Sequence, residues 1–211
     1  GEKNIACMYG RSHIYEGHAP QLLANPIRVL KDIGCKLLIV TNAAGSLDQN
    51  MPAGSLMAIT DHINWSGFNP LIGLNADEYG PRFNDMSDGY SNKYRSKLLE
   101  VAKKTNQKLF EGIYCMYSGP NFETPAEIKA LKVIGGNAVG MSTVPEVLVA
   151  NHCGIPVVAI SVITNLAAGM NKTKLSHQET LENAALAESH ILNLIKNFIQ
   201  DVNLDDTSGN N

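Results

Sequence analysis

The chain has 211 residues, of which 44% are apolar and 18% charged, and its formal net charge is −3. This composition is typical of a globular protein with one sizeable core and is short for two domains. Acidic and basic residues are spread along the chain, whereas a nucleic-acid-binding protein needs clustered Lys and Arg. The longest apolar run, 155–163, is too short to span a bilayer. We therefore expect neither nucleic acid nor a membrane as a partner.

The first half of the chain predicts three short strands and two helices. Apolar runs predict strands at Ile5–Tyr9, Lys36–Thr41 and Leu56–Thr60. Asn25 and Pro26 suit the start of a helix, and Gly34 suits its end. Residues 92–106 predict a second helix, which is polar and rich in lysine. Residues 64–90, between the last strand and this helix, have no periodicity, and a loop of that length is usually a lid, a binding loop or an interface segment.

The second half continues the alternation of strands and helices. Strands are predicted at Gly112–Tyr117, Ala138–Met141 and Pro156–Thr164. Capping-box spacing predicts helices that begin at Thr124, Thr143 and Ser176, each with Glu three residues later, and the last helix runs to about Gln200. We expect a single α/β domain over 1–203, with a central mixed, largely parallel sheet flanked by helices. Residues 204–211 are predicted to be a disordered tail.

Polar segments follow several predicted strands, at the sheet edge where α/β proteins bind ligands. Arg11 offers a planar fork of donors, with His13 two residues on. Ser142 is placed at a helix N-terminus, where free N–H groups favour an anion. Small residues at 43–45 let the backbone approach a ligand. Together these features can hold a phosphate, although each alone also has a structural explanation, such as an ion pair, a helix cap or a tight turn.

Other common sites are missing from the sequence. It has no GxGxxG, P-loop, HExxH or GxSxG motif. The six histidines do not form a metal-ligand set with the cysteines. The cysteines lie far apart in or beside apolar stretches, as is typical of reduced thiols in a cytoplasmic protein (Cys7, Cys35, Cys115 and Cys153). We expect no metal and no cofactor.

Six segments together resemble the trimeric purine nucleoside phosphorylases. They occur in the family's order and cover most of residues 9–170: GRSHIYEG, TNAAGSL, DHINWSGFNPLIG, YSGPNFETPAE, GNAVGMSTVPEV, and ITN followed by LAAGM. The resemblance implies phosphorolysis of inosine, guanosine and their deoxy analogues to a purine base and (deoxy)ribose 1-phosphate, with inorganic phosphate as co-substrate. It also implies a homotrimer.

The resemblance also implies the roles of individual residues. Phosphate would be held by Arg11, His13, the Ala43 backbone and Ser142. The purine base would be bound by Ala44, Gly45, Phe122, Glu123 and Asn165. The ribose would be bound by Tyr15, Met141, His177 and, from the neighbouring subunit, Phe83. Asn165, His13 and Glu123 would be the catalytic residues.

The chemistry of these residues predicts a preference for 6-oxopurines. The Asn165 amide can donate to N7 of the leaving base, and this bond strengthens as negative charge develops there. The Glu123 carboxylate can accept N1–H of hypoxanthine or guanine, whereas adenine presents a lone pair at N1. The related methylthioadenosine phosphorylases prefer acidic residue types near the position of Asn165.

Two other interpretations remain open at the level of sequence. Family members carry an earlier segment with a serine- and glycine-rich phosphate loop and another histidine, which this chain lacks, so we expect an N-terminal segment to be missing. A truncated, catalytically idle relative that binds nucleosides or acts as an oligomer subunit is the first alternative. A generic phosphosugar- or nucleotide-binding α/β domain is the second.

Overall fold

A computed structural model describes residues 3–170 and 177–204 of the chain, and it has the expected α/β architecture. The five strands are β1 (Leu38–Ser46), β2 (Leu56–Asn64), β3 (Leu109–Met116), β4 (Ala138–Gly140) and β5 (Val157–Leu166). The five α-helices are α1 (Asn25–Asp32), α2 (Asn92–Lys104), α3 (Pro125–Val133), α4 (Val144–His152) and α5 (His177–Asp201). Two short 3-10 helices, Ile14–Glu16 and Pro20–Ala24, precede α1.

The sheet is mixed and closes into a barrel in the order β1-β4-β3-β2-β5. The pairs β1–β5, β2–β3 and β3–β4 are parallel. The pairs β1–β4 and β2–β5 are antiparallel and complete the ring. The sequence prediction of a mixed sheet is confirmed, but its closure was not predicted, because ring closure depends on pairings between distant segments.

Two strands extend further than the sequence predicts, and this changes the setting of the site. β1 includes the small residues Ala43, Ala44 and Gly45, and β5 includes Asn165. The two strands pair along their whole length, with a register shift between Ala44 and Gly45. The predicted strand ends at Thr41 and Thr164 are therefore too early, because β1 and β5 continue to supply each other's backbone hydrogen bonds beyond them.

The predicted strand Ile5–Tyr9 does not form. These residues have no regular structure, with Ile5 63% exposed and Tyr9 fully exposed. Each of the five strands of the barrel already has two neighbours, and Ile5–Tyr9 is not one of them. The start of the described chain is instead tethered by Lys3, whose Nζ donates to the carbonyl of Ile199, 2.8 Å away, near the end of α5.

The helices α3 and α4 begin at the predicted positions, but only α3 has its predicted side-chain cap. Thr124 and Glu127 form the predicted capping box of α3. Thr143 does not cap α4: it has φ +76° and its side chain makes no cap hydrogen bond. The predicted start at Ser176 and most of the predicted tail, from 205 onwards, lie outside the described residues. In α5, buried apolar side chains pack against α2 and β5 (Ala187, Leu194 and Phe198).

Candidate active site

Arg11 and Ser142 meet at one buried hydroxyl. Arg11 Nη1 donates to Thr143 Oγ1 at 3.1 Å, and Asn42 Nδ2 donates to the same oxygen at 2.8 Å. Ser142 Oγ lies 3.2 Å from Thr143 Oγ1. Thr143 itself is fully buried, while the Arg11 side chain keeps 21% of its exposure. We call these four residues the anion corner.

Two further contacts fix the Arg11 guanidinium. Its Nη2 donates to the Thr41 carbonyl at 2.5 Å, at the middle of β1. Its Nη1 lies 3.3 Å from a carboxylate oxygen of Glu146 in the first turn of α4. A guanidinium held on several sides presents its remaining donors in a fixed direction, which suits recognition of an oxyanion.

Tyr114 lies beneath the anion corner. Its hydroxyl accepts the backbone N–H of Ser142 at 3.3 Å. The side chain is completely buried, and burial raises the pKa of this phenol well above its ordinary value, so it stays neutral. A Cβ at Gly140 would stand 2.5 Å from this hydroxyl and 3.1 Å from the Ala43 carbonyl, so Ala43 adjoins the corner and position 140 needs glycine.

His13 is held by its neighbours in the first 3-10 helix. Its backbone N–H and its Nδ1 both lie 3.0 Å from Glu16 Oε1. These hydrogen bonds hold the pKa of Glu16 below its ordinary value, so Glu16 remains an anion that orients the imidazole. The ring of Tyr15 stacks on that of His13 with centroids 4.7 Å apart. His13 and Tyr15 are thus positioned as a pair.

Tyr15 and Met141 converge on Gly119, at the start of the GPNFET segment. Gly119 has φ +70°, and a Cβ there would stand 3.2 Å from Tyr15 Cδ1 and 2.5 Å from Met141 Sδ. Glycine is required at this position by both the backbone conformation and the lack of space. The structure therefore brings these two candidate ribose residues together.

Gly45 and Asn165 are neighbours across the β1–β5 pair. A Cβ at Gly45 would stand 3.0 Å from Asn165 Nδ2. Asn165 Oδ1 accepts the Thr164 hydroxyl at 2.8 Å, and Nδ2 donates one hydrogen to the Leu166 carbonyl at 3.0 Å. The Thr164 hydroxyl thus fixes the orientation of the Asn165 amide. One N–H of Nδ2 is left for another acceptor.

Glu123 is buried next to a partly exposed aromatic ring. Its exposure is 6%, against 40% for Phe122. Burial raises the pKa of Glu123 above its ordinary value, with a smaller contribution from Glu127. Burial, aided by the charge of Glu123, also raises the pKa of Cys115 to about 11, which places that thiol nearby. A carboxylate with so little access to water gains strongly from a partner that donates hydrogen bonds.

The other two candidate ribose residues are Phe83, which is exposed, and His177, of which only the backbone is described. Phe83 is 90% exposed on the long segment between β2 and α2. That segment is attached to the end of α4, where Asn151 Nδ2 donates to the Gly89 carbonyl at 2.9 Å and His152 Nε2 lies 3.1 Å from Asn75 Oδ1. The backbone of His177 begins α5, but its side chain lies outside the described residues.

Sequence reasoning missed several members of the site. Thr143 and Glu146 were interpreted as a capping box, and Asn42 and Tyr114 were not singled out. For Thr143 and Glu146, a sequence signal exists, because TVPE follows a strand directly, but the same signal predicts an ordinary helix start. Among the described residues, no group of three or more His, Cys, Asp or Glu is placed to hold a metal ion. Within the same ranges, the search for a helix long and apolar enough to cross a membrane finds none.

The matching family model and two similar relatives indicate the same protein family. The model of the Phosphorylase superfamily matches residues 1–200. The chain is 46% identical over 196 residues to purine nucleoside phosphorylase 1 of Bacillus subtilis (strain 168), covering 93% of this chain and 72% of the relative. It is 43% identical over 206 residues to purine nucleoside phosphorylase of Mus musculus, covering 94% and 71% of the two chains.

Solved structures agree with the sequence comparison. Purine nucleoside phosphorylase of Schistosoma mansoni in complex with adenosine superposes with a TM-score of 0.89 at 37% identity, over 92% of this chain and 72% of that one. The same enzyme in complex with inosine gives a TM-score of 0.88 at 37% identity, over 92% and 71%. Sequence and fold thus converge on one assignment: the chain belongs to the purine nucleoside phosphorylase family, within the phosphorylase superfamily.

Proposed function

We propose that the chain catalyses phosphate-dependent cleavage of the N-glycosidic bond of inosine, guanosine and their deoxy analogues. The products are the purine base and (deoxy)ribose 1-phosphate. The observation that carries this proposal is the anion corner, where Arg11 and Ser142 converge on Thr143. Family membership supplies the reaction class, a pentosyl transfer to phosphate.

Phosphate binding is assigned to Arg11, His13, Ser142 and the Ala43 backbone. Arg11 contributes a fixed positive charge, and the Glu16-oriented imidazole of His13 contributes a donor when protonated. Cleavage of the glycosidic bond leaves an oxocarbenium-like sugar, which a nearby phosphate dianion stabilises and then captures. Tyr15 and Met141 would contact the ribose from either side of Gly119.

Base recognition is assigned chiefly to Glu123 and Asn165, with the base lying against Ala44, Gly45 and Phe122. The free N–H of Asn165 would donate to N7 as that atom gains charge. The buried carboxylate of Glu123 would accept N1–H of a 6-oxopurine. Since adenine lacks that hydrogen, we expect a higher kcat/KM for inosine than for adenosine. The Schistosoma mansoni relative has been crystallised with adenosine, so the preference is tested by turnover and not by binding.

The assembly and its surroundings are part of the proposal. A homotrimer would bring the exposed Phe83 of one subunit to the ribose of the next. Exposed apolar side chains on the same segment support an interface there (Trp65, Ile72 and Leu74). All four cysteines are unpaired, which is consistent with a reducing, cytoplasmic environment. Phosphate serves as co-substrate and no cofactor is required, so a chelator should leave activity unchanged.

A coupled assay with inosine tests the proposed activity. Hypoxanthine release that requires phosphate is the expected result. Tight inosine binding without release, with or without phosphate, would instead indicate an idle relative that binds nucleosides. Release without phosphate would indicate a hydrolase. Arg11→Ala tests the phosphate site in the same assay. It should raise the KM for phosphate by about 10-fold or more, because the charge-assisted contact between the guanidinium and phosphate is lost.

A further inference from the structure

Thr143 occupies a backbone conformation that its side chain disfavours. Its φ of +76° and ψ of −50° lie in a region that β-branched residues rarely adopt. The sequence predicts a helix cap here, yet the hydroxyl makes no cap hydrogen bond. Such strain persists only where the surroundings hold it, and it is most common at functional sites. The hydrogen bonds of this hydroxyl indicate what it is used for.

Counting donors and acceptors fixes the direction of every hydrogen bond at Thr143. A threonine hydroxyl has two lone pairs and one hydrogen. Arg11 Nη1 and Asn42 Nδ2 can only donate, so they occupy both lone pairs. The hydroxyl hydrogen is then left for Ser142 Oγ, 3.2 Å away. In this contact Thr143 is therefore the donor and Ser142 the acceptor.

The same count leaves the hydroxyl hydrogen of Ser142 as a donor. Its backbone N–H is used by the Tyr114 hydroxyl. Its Oγ accepts from Thr143, so the Ser142 hydroxyl hydrogen points away from Thr143 and can be donated to a bound anion or to the Tyr114 hydroxyl, which also contacts this side chain. A hydroxyl that donates stabilises an oxyanion, whereas one that presents a lone pair repels it. The direction of the Thr143 hydrogen bond thus decides whether Ser142 favours phosphate.

We propose that Thr143 is a positioning residue for phosphate: its hydroxyl orients the Arg11 guanidinium and turns the Ser142 hydroxyl into a hydrogen-bond donor to the anion. This inference rests on the proposed function, because phosphate is the anion concerned. Thr143 does not itself contact the substrate. It acts through its two neighbours, and its effect falls on phosphate and not on the nucleoside.

The test compares Thr143→Val, which keeps the branched shape, with Thr143→Ser, which keeps the hydroxyl. In Thr143→Val the KM for phosphate should rise about 10-fold or more, while the KM for inosine stays within about threefold of the wild-type value. Thr143→Ser should restore the phosphate KM to within about threefold. Thr105→Val is the matched control, since that hydroxyl donates to the Val101 carbonyl at the end of α2.

A double-mutant cycle with Ser142→Ala tests the route through Ser142. If Thr143 acts through Ser142, Thr143→Val should raise the phosphate KM clearly less in the Ser142→Ala background than in the wild type. If Thr143→Val raises the KM for phosphate by the same factor in both backgrounds, the route through Ser142 is overturned. Two results would show a merely structural role and overturn the proposal. One is an equal rise in the KM for phosphate in Thr143→Val and Thr143→Ser. The other is a rise in the KM for inosine in Thr143→Val that matches the rise in the KM for phosphate.

Two safeguards keep the outcome interpretable. Circular dichroism checks the fold of each variant, and Thr143→Ala replaces Thr143→Val if the latter does not fold. Wild-type hypoxanthine release tests the proposed function separately. If the wild type shows none, the same variants are compared by the shift that phosphate causes in the unfolding temperature, and an unchanged shift in Thr143→Val would overturn the inference.

Discussion

At the scale of single residues, the proposed active site depends on polar groups that the protein holds with little access to water. Glu123 is the clearest case, since its carboxylate is buried next to Cys115. A buried acceptor lowers the stability of the free protein and favours a ligand that can donate to it. Function and stability therefore oppose each other at this side chain.

Glu123→Gln should lower kcat/KM for inosine by about 100-fold or more, because the acceptor for N1–H is lost. Burial raises the folded-state pKa of Glu123, so its stabilising contribution exists below its unfolded pKa and is lost as pH rises through the folded value. The variant should therefore unfold at higher temperature than the wild type at pH 7, and this difference should vanish in acid. Thermal unfolding across pH measures it, and a less stable variant at pH 7 would contradict it.

The pH profile of the wild type follows from the same shift. Since the carboxylate form accepts N1–H, kcat/KM for inosine should fall as pH drops through a pKa above the ordinary value of 4.5. In Glu123→Gln this acid limb should disappear. An identical acid limb in both proteins would assign the titration to another group.

Asn165→Asp should move the preference towards 6-aminopurines, raising the ratio of kcat/KM for adenosine to that for inosine by about 100-fold. The Thr164 hydroxyl that fixes the Asn165 oxygen would equally fix a carboxylate oxygen. Steady-state kinetics with both nucleosides measure the ratio. A correctly folded variant without any gain for adenosine would refute the role given to Asn165.

At the scale of elements, local signals predict capping hydrogen bonds well where no distant residue competes for the same side chains. Thr124 and Glu127 form their capping box because both groups lie within one turn. Thr143 and Glu146 have the same spacing, but both side chains bind Arg11, which lies 132 residues from Thr143 in the sequence, and they do not form a capping box. The family motifs identify Arg11 and Ser142 from sequence, but the hydroxyl that joins them depends on tertiary structure.

Strand lengths were less predictable for the same reason. The sequence predicts that β1 ends at Thr41, before the small residues 43–45, and only their pairing with β5 makes them part of it. The apolar pattern of Ile5–Tyr9 predicts a strand, but none of the strands of the ring pairs with it. Pairing is decided across the whole chain, so a local pattern cannot determine it.

Gly119→Ala should impair nucleoside binding through a purely steric effect on the segment before Phe122. The new methyl group would displace Met141 or Tyr15, and the KM for inosine should rise about 10-fold or more. Gly135→Ala is the matched control: its φ is +98°, so it carries similar backbone strain, but nothing lies within 4 Å of its Cβ position. Gly135→Ala should lose about 1 kcal/mol of stability from backbone strain, and Gly119→Ala should lose more because its methyl group also overpacks Met141 and Tyr15. Equal KM values in the two would show that Gly119 matters only for its backbone.

At the scale of the whole molecule, one chain presents an incomplete ribose site if the proposed trimer is correct. Phe83 projects from a segment that α4 holds at Asn75 and Gly89. The other end of α4 carries Glu146, which binds Arg11. One helix therefore connects the anion corner with the segment proposed to reach the next subunit.

Phe83→Ala should raise the KM for inosine about 10-fold and leave the KM for phosphate unchanged, since only the sugar contact is lost. Leu74→Ala is the control, because Leu74 is fully exposed on the same segment and is proposed to support the interface but not to contact the ribose. Light scattering should show the same trimeric mass for both variants and the wild type. A monomeric wild type with normal activity would contradict the shared site.

The closed ring of strands has a consequence for self-association. Each of the five strands described has two neighbours within its own subunit, so none of them is an edge strand along which a second copy would extend the sheet. Contacts between copies must then be made by side chains on loops and helices. The same closure disfavours fibre growth by strand addition, because none of the described strands has one whole side of its backbone without a neighbour.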